Sequence, residues 1–241
     1  MSRGQPDYGA YAEGDVISLL DDMAELAVRL GSIVKFDRRG KVVYLDDFEA
    51  PNLKWIKGIT AGGTVLHDSV YPQSGAQCIK LTPNAGATDL AGISKEFGVV
   101  ISQRLGIEFA FANPSANLSY YIEVSYFDGT SFHRARFNLD FSTSRMSIWS
   151  GIGAWTDIGA IDAFYETGYS YFPVKLVADF STNTYLRAMI TETWHDLSAY
   201  TLSLQGGAGA PRLQIACLAT NETGVAGSIY VDDCIFTQQE P

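Results

Sequence analysis

From residue 76 onward the chain is almost continuously strand-forming. AQCIKLT, GISKEF, LGIEFAFA, SYYIEVSYF, FHRARFNLDF, RMSIW, VKLVADF, YLRAMI, PRLQIACLA and SIYVDDCIF follow one another. Polar and apolar residues largely alternate in them, the period-two pattern of a strand with one face on a core. Between them lie NPSAN, FDGTS and QGGAGAP, whose Gly, Pro, Asn and Asp residues reverse a chain. Many short strands at this spacing fold as a β-sandwich or a barrel. Thirteen Tyr, thirteen Phe and 23 Gly suit strands and tight turns better than helices. The phrase Asp-Phe-Ser-Thr occurs at 140–143 and again at 179–182. Both copies read as hairpin turns whose Asp, Ser and Thr side chains bond the turn backbone.

The first 43 residues differ. Residues 1–12 are a Gly-, Pro- and Tyr-containing arm. GDVISLLDDMAELAVRLG then reads as a helix, with Asp15 as N-cap and Gly31 as its stop. Val16, Leu19, Leu20, Met23, Leu26 and Leu30 form one apolar stripe. That stripe either docks on the protein's own sheet or serves as a two-heptad oligomerisation helix. SIVKFDRRGKVVYLDDFE follows, two apolar runs about DRRG, a hairpin signal. The expected organisation is an assembly region over 1–43 and a β-domain over 44–241.

Charge and cysteine content exclude several classes. With 17 basic and 27 acidic residues the net charge is −10, which disfavours nucleic acid and anionic membranes. The basic pair Arg134/Arg136 is too small to form a patch. Cys78, Cys217 and Cys234 are an odd set in apolar runs, with no spacing for zinc or a disulfide framework. No run approaches the eighteen or so apolar residues of a membrane span, and MSRGQPDYGAYAEGD lacks the apolar stretch of a secretory signal.

Short motifs give a family likeness. Asp47-Phe48-Glu49 lies a few residues before Trp55, Gly75–Leu81 supplies a Gly-led strand, and Tyr230-Val231-Asp232-Asp233 closes the chain. This order resembles the carbohydrate-binding-module and concanavalin-like jelly rolls, over about four-fifths of the chain. VKLVADFSTNTYLRAMITETWHDLS is similar to the Asp-turn-Tyr hairpin of lectin-like sandwiches. The resemblance implies a mainly β jelly-roll sandwich whose opening and closing strands lie side by side. It also implies a structural calcium held by Glu49 with Asp232 or Asp233, no cofactor being otherwise required. The front end resembles phage and metagenomic open reading frames encoding virion proteins. That implies a capsid decoration or fibre protein in the virion, trimeric, docked on a capsid or tail protein.

For chemistry, His67, His133 and His195 are the three histidines, and no nucleophile-elbow, zinc-protease or phosphate-loop motif occurs. Glu123, alternating with Ser125 on one strand, reads as structural. The expectation is therefore a protein without catalytic residues. Trp149, Trp155, Tyr165, Tyr169, Tyr171 and Trp194 form an aromatic pool, most of it in the glycine-rich span 149–172. Such side chains either stack on sugar rings or pack against a neighbouring subunit. Glycan binding is thus the alternative to the structural virion role.

Overall fold

The computed structural model describes residues 39–241, apart from 61, 87, 99–102, 113, 114, 116, 152, 162–168 and 192. The arm, the helix with its stripe from Val16 to Leu30, and the first strand of the DRRG hairpin lie outside the described residues. The described strands are β1 Lys41–Asp46, β2 Ile56–Ile59, β3 Thr64–Asp68, β4 Cys78–Thr82, β5 Leu90–Phe97, β6 Arg104–Ala112, β7 Leu118–Phe127 and β8 Ser131–Asp140. They continue with β9 Arg145–Trp149, β10 Trp155–Ala160, β11 Phe172–Asp179, β12 Thr184–Ile190, β13 Thr193–Asp196, β14 Ser203–Gly206, β15 Arg212–Asn221 and β16 Ile229–Gln238.

They form the two facing antiparallel sheets of a jelly-roll sandwich. The first runs β13-β12-β11-β6-β16-β4-β3, with β1 also on β16; the second runs β10-β9-β8-β7-β15-β5-β2, with β14 on β8. Opening and closing strands do lie side by side, Lys41 opposite Gln238 and Asp46 opposite Cys234. Between the sheets lies one apolar layer in which Ile107, Phe109 and Phe111 of β6 and Leu176 of β11 share a core with Tyr120, Ile122 and Val124 of β7 and Phe137 of β8. Phe111 stacks on Tyr120 at 4.5 Å between ring centres, joining the two sheets. The Asp-Phe-Ser-Thr turns behave as the sequence implies. Asp140 accepts from Ser142 and Thr143, and Asp179 from Ser181 and Thr182.

Strand β16 breaks its own alternation. Val231 and Cys234, three residues apart, both belong to the core. A strict strand would put them on opposite faces, so one extra residue must be accommodated. The pairing with β6 shifts between Asp232 and Cys234, and Asp233 adopts a left-handed φ of 45°. That bulge lets both aspartates avoid the apolar layer.

One buried tyrosine ties the sheets together through the backbone. Tyr185, on β12 of the first sheet, is fully buried and points its hydroxyl at the second. The hydroxyl accepts from Arg136 N at 2.9 Å and donates to Trp149 O at 2.8 Å. Burial raises its pKa above the ordinary phenol value, so it stays a donor. Tyr185→Phe strands a buried N–H and a carbonyl and is expected to cost about 1–3 kcal/mol in urea unfolding. A variant as stable as wild type would show that water replaces the hydroxyl.

Candidate functional site

The period-two rule decides which residues the outer face of the second sheet displays. Inward-facing Ile122 and Val124 on β7, and Phe137 and Leu139 on β8, leave Ser119, Tyr121, Glu123 and Ser125 pointing out beside Arg134, Arg136, Asn138 and Asp140. Ser147 and Trp149 on β9 and Trp155 on β10 continue this face. Two adjoining clefts lie on it. One, of about 390 Å³, is walled by Tyr121, Arg136, Asn138, Ser147, Trp149 and Trp155. The other, of about 210 Å³, runs over Gly58, Gly92, Ala216 and Leu218 to Glu123 and Arg134. Both share Tyr121 and Arg136, so they form one groove crossing the sheet from β2 to β10. A side chain at Gly92 would collide with the Cys217 carbonyl at 2.6 Å, which keeps that end of the floor smooth.

Charge lies at the middle of the groove. Glu123 is nearly buried and accepts from Arg136 Nε at 2.5 Å, while Arg134 Nε stands 4.0 Å away. The Arg136 guanidinium lies 5.5 Å from the ring centres of both Tyr121 and Trp149. Trp149 and Trp155 meet edge to face at 5.1 Å, and Tyr121 sits 5.9 Å from Trp155. Burial pushes the Tyr121 phenol up to about 12 while Arg136 pulls the other way, so its hydroxyl is protonated at neutral pH. Asn138 Nδ2 donates to Ser147 Oγ at 3.4 Å, and Ser119 Oγ donates to Glu222 at 2.7 Å. Two buried polar atoms here, Asn138 Oδ1 and Arg134 Nε, have no hydrogen-bond partner among the described residues. A cleft with aromatic walls and spare polar atoms is chemically suited to a hydroxyl-rich ligand.

This architecture recurs among solved structures. Over 83% of this chain and 96% of the other it is similar to an endo-β-1,4-glucuronan lyase from the fungus Trichoderma reesei, at 10% identity and a TM-score of 0.56. A Bacillus licheniformis β-glucanase matches over 81% and 98%, at 10% identity and 0.51. A protein of unknown function from Shewanella oneidensis matches over 88% and 92%, at 11% identity and 0.52. No family model and no curated protein matches the sequence. The shared fold is a jelly-roll β-sandwich. It overturns the expectation of a protein without enzymatic activity, because two of these structures are enzymes and the fold serves catalysis as readily as binding. None of these three structures supports a structural virion role.

The aromatic pool divides. Trp149 and Trp155 stand in the groove, the latter 41% exposed on an edge strand within the glycine-rich span. Trp194 lies on β13 of the other sheet, with Arg39 4.3 Å above its ring. Tyr169 stacks on Tyr71 at 3.9 Å, and Tyr171 donates to Tyr71 O at 2.7 Å, beside Tyr230 of the first sheet. Tyr165 is outside the described residues. Sequence reasoning passed over Tyr121 and Asn138, and took Arg134 and Arg136 only as a basic pair too small to form a patch. The signal for the arginines and Asn138 was the polar phase of FHRARFNLDF, where Arg, Arg and Asn recur at every second position, and that for Tyr121 was the same phase of SYYIEVSYF.

The acidic residues expected to hold calcium bind the chain instead. Glu49 Oε1 accepts from Ala76 N and Gln77 N at 2.8 and 3.0 Å. Asp232 accepts from Gln73 N at 2.9 Å, and Asp233 from Ser74 Oγ at 3.3 Å. No group of three or more His, Cys, Asp or Glu side chains among the described residues is placed to hold a metal. Calcium therefore has no support, and these carboxylates fasten the 73–77 loop to β16 and to the segment that follows β1. Burial raises Asp232 to about 7 and Asp233 to about 6, each helped by neighbouring carboxylates. Since folded values lie above the unfolded value near 4, the native state holds extra protons between about pH 4 and 7. The pair's contribution is complete below that window and is lost as pH rises through it. Comparing urea midpoints at pH 4.5 and 7.5, Asp233→Asn should lose less stability than wild type across the step. An equal loss in both would place the titration elsewhere.

Proposed function

We propose that the protein binds a polysaccharide chain in the groove on the outer face of its second sheet. The observation that carries this reading is the Trp149–Trp155–Tyr121 wall set against a nearly buried hydrogen-bonding group of Glu123, Asn138 and Ser147. Sugar rings present apolar C–H faces to aromatic side chains and hydroxyls to amides, carboxylates and guanidinium groups. A groove that offers both kinds of surface serves each need at once. Its length suits a polymer, since the seven strands from β2 to β10 span roughly 29 Å at a strand spacing near 4.8 Å. The groove lies in place on paired strands, so little ordering entropy opposes binding. The names of two matched structures, a glucuronan lyase and a β-glucanase, support a polysaccharide as the class of ligand.

Calorimetric titration against a panel of oligosaccharides tests the reading. Trp155→Ala and Trp149→Ala are each expected to weaken binding about tenfold or more. Trp194→Ala, on the opposite sheet, should leave it unchanged. If no member of a broad panel binds wild type, or if only Trp194→Ala loses affinity, the groove is not the site.

A further inference from the structure

Resting on that reading, we infer that the groove selects acidic sugars, and that Arg134 takes the anionic substituent, a carboxylate or a sulfate ester. The argument begins with the charge balance at the middle of the sheet. Two guanidinium groups, Arg134 and Arg136, face one carboxylate, Glu123. Arg136 has its Nε on Glu123 at 2.5 Å and its guanidinium against Tyr121 and Trp149. Arg134 lies 5.0 Å from the centre of the Phe132 ring but has no such bond to the carboxylate. Its closest approach to Glu123 is 4.0 Å, beyond a hydrogen bond, and its buried Nε has no hydrogen-bond partner among the described residues. A cation held in a partly desolvated cleft with open donors is a binding element for an oxyanion, because guanidinium presents paired N–H groups at oxyanion spacing.

The surrounding charges leave that position cationic. Beside Arg134 in the same row stand Ser125 on β7 and Gln214 on β15, both neutral. Glu96, farther along on β5, is 3.7 Å from Arg212 and is balanced by it. On β9 and β10 Arg145 and Asp157 pair with each other. Asp140 lies six residues from Arg134 along β8, roughly 20 Å away, and Glu222 is bonded to Ser119 at that same end. The face is thus polarised along its strands, with the positive end over the Gly58–Gly92–Ala216 floor. A sugar ring lying on that smooth floor would bring a substituent to Arg134, while neighbouring rings of the chain reach Tyr121 and the tryptophans. In a protein of net charge −10, such a local excess of positive charge counts as a specific feature of the groove.

The test compares one oligouronate with its carboxyl-reduced, neutral counterpart and with a neutral oligosaccharide carrying sulfate esters, titrated into the full chain. Wild type should bind an acidic ligand at least tenfold more tightly than the reduced one, and the preference should shrink as salt rises. In Arg134→Gln the acidic-to-neutral ratio should fall towards one. The uronate and sulfate arms decide which anion is read. Equal affinity for acidic and neutral ligands in wild type overturns the acidic-sugar inference but leaves the groove reading standing. No binding of any ligand removes both. A preserved ratio in Arg134→Gln shows that another residue reads the anion. Should that variant fail to fold, the wild-type ratio and its salt dependence still decide.

Discussion

The apolar layer between the sheets is the constraint on which the remaining features depend. Phe111 on Tyr120 is its clearest contact, and Ile107, Phe109, Ile122 and Phe137 fill the space around them. Because side chains alternate along a strand, burying one phase of β7 and β8 commits the other phase to the outer face. Tyr121, Glu123, Arg134, Arg136 and Asn138 are thus placed by the residues between them. Tyr185 strengthens the coupling, since its hydroxyl holds the backbone of both Arg136 and Trp149 from beneath. The groove is the reverse side of the core.

Within that groove a nearly buried carboxylate demands compensation. Removing Glu123 from water costs several kcal/mol unless partners offset it, and Arg136 meets the demand at 2.5 Å. The aromatic rings around Arg136 keep the guanidinium in place, so the charged centre is rigid before any ligand arrives. Rigidity at the centre and a half-exposed tryptophan at the rim together suit a long, hydroxyl-rich chain better than a small compact ligand.

The acidic motifs of the two ends have a different explanation. Tyr44-Leu45-Asp46-Asp47-Phe48-Glu49 and Tyr230-Val231-Asp232-Asp233-Cys234 do meet, on paired strands β1 and β16. Their carboxylates are spent on local structure. Asp46 accepts from Trp55 Nε1 at 2.9 Å and from Phe48 N at 3.0 Å, Glu49 receives two backbone N–H groups, and the two aspartates occupy a bulge. The neighbouring acids of the closing strand thus mark a distortion of that strand. Val231 and Cys234, three apart and both apolar, were the evidence for it.

The sequence by itself determined the β class, eleven of the strands and the two Asp-Phe-Ser-Thr turns, because alternation and turn chemistry are local properties, while the meeting of the chain's ends came from the resemblance to jelly rolls. It missed β2, β3, β10, β13 and β14, which are short, lie at sheet edges or hold glycine, and draw their stability from pairing with neighbours. Trp149 and Trp155 were legible as exposed aromatics, but nothing local separated them from Trp194. Arg134, Arg136 and Glu123 could not be recognised as one site, for they become neighbours only when β7 and β8 pair. Tertiary structure alone decided which polar phase shares a groove, since a site on a sheet is assembled across strands and a sequence records only the order along them.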